Sequence, residues 1–195
     1  MKPVQMAQIL PYELYEKLRP LLRPLFIAEK DRRRLTIGEH VTLLFENAQT
    51  VWYQVQEMLR SERISSEEGI AHELDTYNEL LPGPNELAAT MMIQFTDAAQ
   101  RDENLRKLAG LENQIYLRIS DRRQKARVDL RQVSDERVSS VQFVRFALGG
   151  IDAEGFATKA RQGQISVEIE HPAMTMSAPI TDTLAAVLVE DLIQS

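Results

Sequence analysis

QIYLRIS (Gln114–Ser120) and QISVEIE (Gln164–Glu170) decide the reading of the fold. In each, apolar residues alternate with polar ones. Ile115, Leu117 and Ile119 share one face, as do Ile165, Val167 and Ile169, which is the period of a half-buried strand. The surroundings of the two stretches also correspond. Before the first come a strand, Thr90–Phe95, and a helix from about Asp97 to Ala109 closed by Gly110. Before the second come a strand, Ser140–Leu148, and a helix, Asp152–Arg161, closed by Gly163. After the first, a polar turn leads to a strand over Lys125–Leu130. After the second, a turn at His171-Pro172 leads to a strand over Met174–Pro179. At the same offset of 50, Ala126, Val128 and Leu130 match Met176, Ala178 and Ile180. Two β-α-β-β units of this kind predict an α+β fold, a mostly antiparallel sheet with helices on one face. Period-2 strands match one another by chance, so the element order is a firmer reading than a true duplication. Thr181 then caps a final helix bearing Leu184, Val187, Leu188 and Leu192.

Upstream of these units the pattern is mainly helical. Residues 11–34 carry Leu14, Leu18, Leu21, Leu22 and Leu25 at helical spacing, with Pro11 in the first turn. Pro20 and Pro24 predict a kink or a two-piece helix that ends in the basic run Lys30–Arg34. A strand over His40–Glu46 places Val41, Leu43 and Phe45 on one face. From Asn47, a plausible N-cap, to Arg63 the period becomes helical, with Val51, Val55, Met58, Leu59 and Glu62 on one face. Ser65-x-x-Glu68 has the capping-box pattern and opens a second helix, whose stripe is Ile70, Leu74, Tyr77 and Leu81. Pro82-Gly83-Pro84 ends it. The expected organisation is a helical N-terminal lobe with one strand over 1–84 and an α+β sheet lobe over 85–195, packed as one compact unit.

Composition narrows the chemistry. The 195 residues are 44% hydrophobic and 27% charged, enough to bury a core. The formal charge of −6 argues against nucleic acid as a partner, since such binders rely on phosphate neutralisation. The chain has no cysteine, which excludes disulfides, thiolate nucleophiles and Cys-ligated metal centres. No stretch approaches the roughly 18 apolar residues of a membrane span, and the first residues lack a signal-like apolar run. A cytoplasmic setting without membrane contact is therefore expected. Charge is unevenly spread: residues 1–35 hold 8 basic and 4 acidic groups, and residues 36–90 hold 2 and 10. This contrast suggests that the basic N-terminal helix packs beside the acidic helical region.

HVTLLFENAQTVWYQVQEMLRSERI (His40–Ile64), ELDTYNELLPG (Glu73–Gly83), ATMMIQFTD (Ala89–Asp97), VQFVRFAL (Val141–Leu148) and VEIEHPAM (Val167–Met174) resemble the bacterial family labelled domain of unknown function 3501. The resemblance runs from about Pro11 to Met174 and assigns no activity. It implies bacterial origin and genomic company with rubrerythrin-like and iron–sulfur oxidoreductase proteins. The expectation that follows is an accessory or interaction protein of redox or oxidative-stress metabolism, with no cofactor of its own. Its partner would be a protein of one of those two classes.

The residues themselves support an alternative, a small-molecule binder or enzyme. Glu62 falls on the apolar stripe, where a carboxylate is costly to bury unless paired, hydrogen-bonded or protonated. If the two helices pack as an antiparallel pair, Glu62, Glu73, Tyr77 and Asn78 share a polar pocket with Gln54 or Arg63 at its margin. A desolvated Glu62 would then suit proton transfer. The plainer reading places Glu62 where the stripe reaches solvent, or against an arginine of the N-terminal helix. His40, His72 and His171 stand apart from one another, and no metal site is expected. Gly149-Gly150 reads as a strand-to-helix connection. The segment with Arg118, Arg122, Arg123, Lys125, Arg127 and Arg131 reads as a solvated hairpin or a docking surface for an anionic partner. A homo-oligomer that buries the last helix against its twin is a third possibility.

Overall fold

The computed structural model describes residues 1–129 and 136–193 and shows the expected α+β class. After an N-terminal segment with one 3₁₀ turn come α1 (Tyr12–Arg32), β1 (Arg34–Ile37), β2 (Val41–Phe45), α2 (Ala48–Glu62) and α3 (Glu67–Asn78). The first repeat-like unit is β3 (Glu86–Ile93), α4 (Ala98–Lys107), β4 (Ile115–Ile119), β5 (Arg122–Lys125) and β6 (Arg127–Val128). The second is β7 (Val141–Ala147), α5 (Ala153–Arg161), β8 (Ile165–His171) and β9 (Met174–Pro179), followed by α6 (Asp182–Ile193).

The strands divide between two sheets, of order β1-β2-β3-β7-β6 and β5-β4-β8-β9, and every described pairing is antiparallel. The strand expected over Lys125–Leu130 accounts for much of this. Of it, Arg127–Val128 forms β6 while Lys125 ends β5, a strand lying over the expected polar turn, and the chain crosses from one sheet to the other at Ala126. Leu130 lies outside the described residues. Equivalent strands of the two units meet at the centre of each sheet, β3 against β7 and β4 against β8. Leu117 lies opposite Val167, its own counterpart at the offset of 50. The order β5-β4-β8-β9 is thus symmetric about its middle.

The two sheets share one hydrophobic core. Leu43, Met91, Val144 and Phe146 come from the first sheet and Leu117, Val167 and Ile169 from the second, with Leu105, Phe156 and Leu188 added by α4, α5 and α6. β2 is buried along its whole length, which is why VTLLF lacks polar alternation. A second, smaller core joins Val51, Val55 and Leu59 of α2 to Leu74 of α3 and Val4 of the N-terminal segment. The expected N-terminal lobe thus has a core of its own, yet β1 and β2 complete the sheet built on β3 and β7. The missed strand β1 immediately follows α1 and uses the end of the basic run, Arg34, as its first residue.

Two expectations about helices are corrected. Helix α1 is continuous through Pro20 and Pro24. Both prolines are exposed, so the carbonyls they leave without an N–H partner can bond to water. Helix α3 is capped by Ser66, not Ser65: the Ser66 hydroxyl accepts from the Gly69 N–H at 3.2 Å. The Asn47 cap is as expected, its side chain accepting from the Thr50 N–H at 2.9 Å. The last helix turns its stripe inward. Leu184, Val187 and Leu188 are buried within the chain, and Leu192 is half-buried.

Candidate functional site

Helix α2 lies between α1 and α3, and its polar positions build the candidate site. At its start, Glu46 is only 3% exposed, but its carboxylate is fully engaged. Oε1 accepts from the Thr90 hydroxyl at 2.5 Å, and Oε2 accepts from Gln54 Nε2 at 3.1 Å and from the Thr50 hydroxyl. Beyond Gln54 a groove of about 410 Å³ opens along α2, with Lys30, Tyr53, Gln54, Glu57, Arg60 and Tyr77 on its walls. Lys30 Nζ stands 5.2 Å from the centre of the Tyr53 ring. Burial lowers the pKa of this amine, against the opposing pull of Glu46.

Glu57 anchors α1 to α2. It accepts from Arg19 Nε at 2.7 Å, from Arg19 Nη2 at 2.9 Å and from the Tyr15 hydroxyl at 2.6 Å. The Arg19 bonds hold its carboxyl below the usual glutamate range. One turn on, Arg60 Nε lies 2.5 Å from Glu16 Oε1. The basic N-terminal helix and the acidic region therefore do pack together.

The five residues singled out from the sequence separate. Gln54 and Tyr77 line the groove. Burial raises the Tyr77 pKa, and the charges of Glu73 and Glu62 raise it further, so these three share one electrostatic neighbourhood. Glu62 itself is exposed, which corrects the expectation of a desolvated acid. The buried stripe of α2 ends at Leu59, and Glu62, in the next and last turn, is beyond the buried part of that face. Asn78 does not face the groove. Its amide brackets Val4, accepting from the Val4 N–H at 2.8 Å and donating to the Val4 carbonyl at 2.9 Å. Arg63 ends α2 in the left-handed conformation, at φ 56°.

The remaining candidates have structural surroundings. His40 Nδ1 lies 3.1 Å from the Gln94 carbonyl, and its ring packs on Phe95. His171 serves its turn: Nε2 lies 3.0 Å from the Ala109 carbonyl and Nδ1 accepts from the Ala173 N–H at 3.2 Å. His72 is exposed. Gly149 and Gly150 both take positive φ in the connection from β7 to α5. In the basic hairpin, Arg118 and Arg123 pair with Glu168, and Arg123 also pairs with Glu170, which neutralises part of the basic surface that an anionic partner would meet. Arg131 lies outside the described residues. Among the described residues, no group of three His, Asp or Glu side chains is placed to hold a metal ion, and no helix is long and apolar enough to cross a membrane.

One surface feature of α1 has no separate counterpart in the sequence pattern. Leu14, Leu21 and Leu25 are 43%, 70% and 66% exposed. On an α-helix they fall within about 40° of arc, forming one ridge. Tyr15, Leu22 and Phe26 form a second, inward stripe roughly 100° away. The spacing was visible in the sequence, but nothing there said that α1 has two apolar faces with only one of them covered.

Fold and site together define a class: a two-sheet α+β protein whose N-terminal helices form a grooved cap with an apolar outer ridge. A model of the family described as Protein of unknown function (DUF3501) matches residues 3–192, and the chain belongs to that family. It is also similar to a novel protein of unknown function from Burkholderia pseudomallei K96243, solved by crystallography. Identity is 37%, the TM-score is 0.87, and the match covers 98% of this chain and 100% of that one. No curated protein matches the chain.

Proposed function

We propose that this protein is an accessory protein that acts by docking to another protein, with α1 as the docking element. The observation that carries this reading is the ridge of Leu14, Leu21 and Leu25. A single exposed leucine is ordinary, whereas three aligned on one helix face are the kind of apolar surface that an interaction site presents. Burying a leucine fully is worth about 1.5–3 kcal/mol, so a partner that covers the ridge has a substantial driving force. Lys17 and Glu13 lie beside the ridge and are exposed, giving the apolar strip a charged edge.

The partner proposed is a rubrerythrin-like or iron–sulfur oxidoreductase protein of a bacterial cytoplasm, the company that the family resemblance implies. In this reading the redox chemistry belongs to the partner, and this chain contributes contact and positioning. The test is native co-purification from the source bacterium with wild-type protein and with a Leu21→Ser/Leu25→Ser variant. Enrichment of such a partner by the wild type and its loss with the variant are expected. Equal enrichment by both, or by neither, contradicts the proposal.

A further inference from the structure

We propose that a second cavity, on the other side of α2, binds a small neutral molecule with an apolar body and one hydrogen-bonding head. The cavity measures about 270 Å³ and lies between the N-terminal segment, α1 and the α2–α3 pair. Ile9, Leu10, Leu59, Ile64 and Ile70 give it apolar walls. Its size suits a molecule of roughly ten heavy atoms, near the lower end of ligand pockets.

The decisive residue is Gln56, which lines this cavity and is 2% exposed. Its amide oxygen has no hydrogen-bond donor among the described residues. A buried acceptor left unpaired costs about 1–3 kcal/mol, and such groups are rare in folded proteins. Packing alone would be better served by leucine at this position. The last torsion of a glutamine side chain is soft, so the amide can turn to present its oxygen to an O–H or N–H donor on a ligand. At the rim Arg60 already faces Glu16 at 2.5 Å, so an anionic ligand would have to compete with that carboxylate.

The cavity wall is held in place before any ligand arrives. Asn78 brackets Val4, and Trp52 Nε1 donates to the Gln8 carbonyl at 2.8 Å, so the N-terminal segment is strapped across α2 and α3 at two points. Such preorganisation reduces the ordering cost of binding. This site is separate from the leucine ridge, and its failure would leave the docking proposal untouched.

The test uses two probes of nearly equal shape, p-cresol and p-xylene, which differ in a hydroxyl against a methyl. Each is titrated into the full chain and followed by NMR at the amides lining the cavity. Wild-type protein is expected to bind p-cresol about tenfold more tightly than p-xylene, the value of one well-made hydrogen bond. Gln56→Leu should bind both probes equally and melt at a higher temperature than the wild type, because an unpaired polar group has been removed. Ile70→Trp, which fills the cavity, should bind neither. The proposal is overturned if p-xylene binds the wild type as well as p-cresol does, if no cavity amide responds, or if Gln56→Leu keeps the preference or melts lower.

Discussion

Arg33 stands in the run DRRRL and by composition belongs on the surface, yet it is only 1% exposed. Its guanidinium forks onto Asp191 of α6, at 2.5 and 3.0 Å, while its Nε donates to Glu29. This pair ties the first helix to the last across 158 positions of sequence, a separation no local pattern can reveal. Replacing Asp191 with Ala leaves a buried guanidinium short of its main partner and should cost about 3–5 kcal/mol in urea unfolding. Asn78→Ala should cost less, about 1–2 kcal/mol. It should also release the N-terminal segment, seen as faster amide exchange at Val4. Protonation adds a third residue-scale prediction. Glu57, held by Arg19, and Glu168, held by Arg118, have lowered pKa values in the folded chain. Their contribution is therefore complete above the ordinary glutamate value and is lost as pH falls through the lower folded values. Melting temperature should fall as pH drops below about 4.5, and Glu57→Gln should flatten that fall. Glu62 shows the limit of sequence reading at this scale. Periodicity placed it on the right face of α2, but not on which side of the last buried turn.

Helix α1 carries most of the lessons at the level of single elements. Its leucine spacing was plain in the sequence and its direction was not, because two stripes about 100° apart both read as core. Pro20 and Pro24 predict a break only when the freed carbonyls cannot reach water, and here both lie on the solvent side. If the ridge serves docking and not folding, Leu21→Ser/Leu25→Ser should change stability by no more than about 1 kcal/mol, measured by denaturant titration. A larger loss would mean that the ridge is covered within the chain. The end of α2 gives a second test. Arg63 holds a left-handed conformation that costs a non-glycine residue about 1 kcal/mol, so Arg63→Gly should raise stability by about that amount.

Across the whole molecule, the alternation of the main strands and helices and the correspondence of like segments at an offset of 50 were readable from the sequence, whereas β1 and β5 were not. Nor was the distribution of the strands between two sheets. Alternation in QIYLRIS and QISVEIE fixes which face is buried but carries no information about which sheet a strand joins. The crossing at Ala126 depends on tertiary packing, which places Arg127 and Val128 beside β7 while Arg122–Lys125 stay beside β4. The same limit applies to function: the groove and the ridge exist only because α1, α2 and α3 share one cap. The most direct measurement of the docking claim is photo-crosslinking in the source bacterium, with a benzoylphenylalanine placed at position 21 on the ridge or at position 67 at the start of α3. Docking through α1 should give a covalent adduct to a rubrerythrin-like or iron–sulfur protein from position 21 and none from position 67. An adduct from position 67 alone, or from neither, would contradict it.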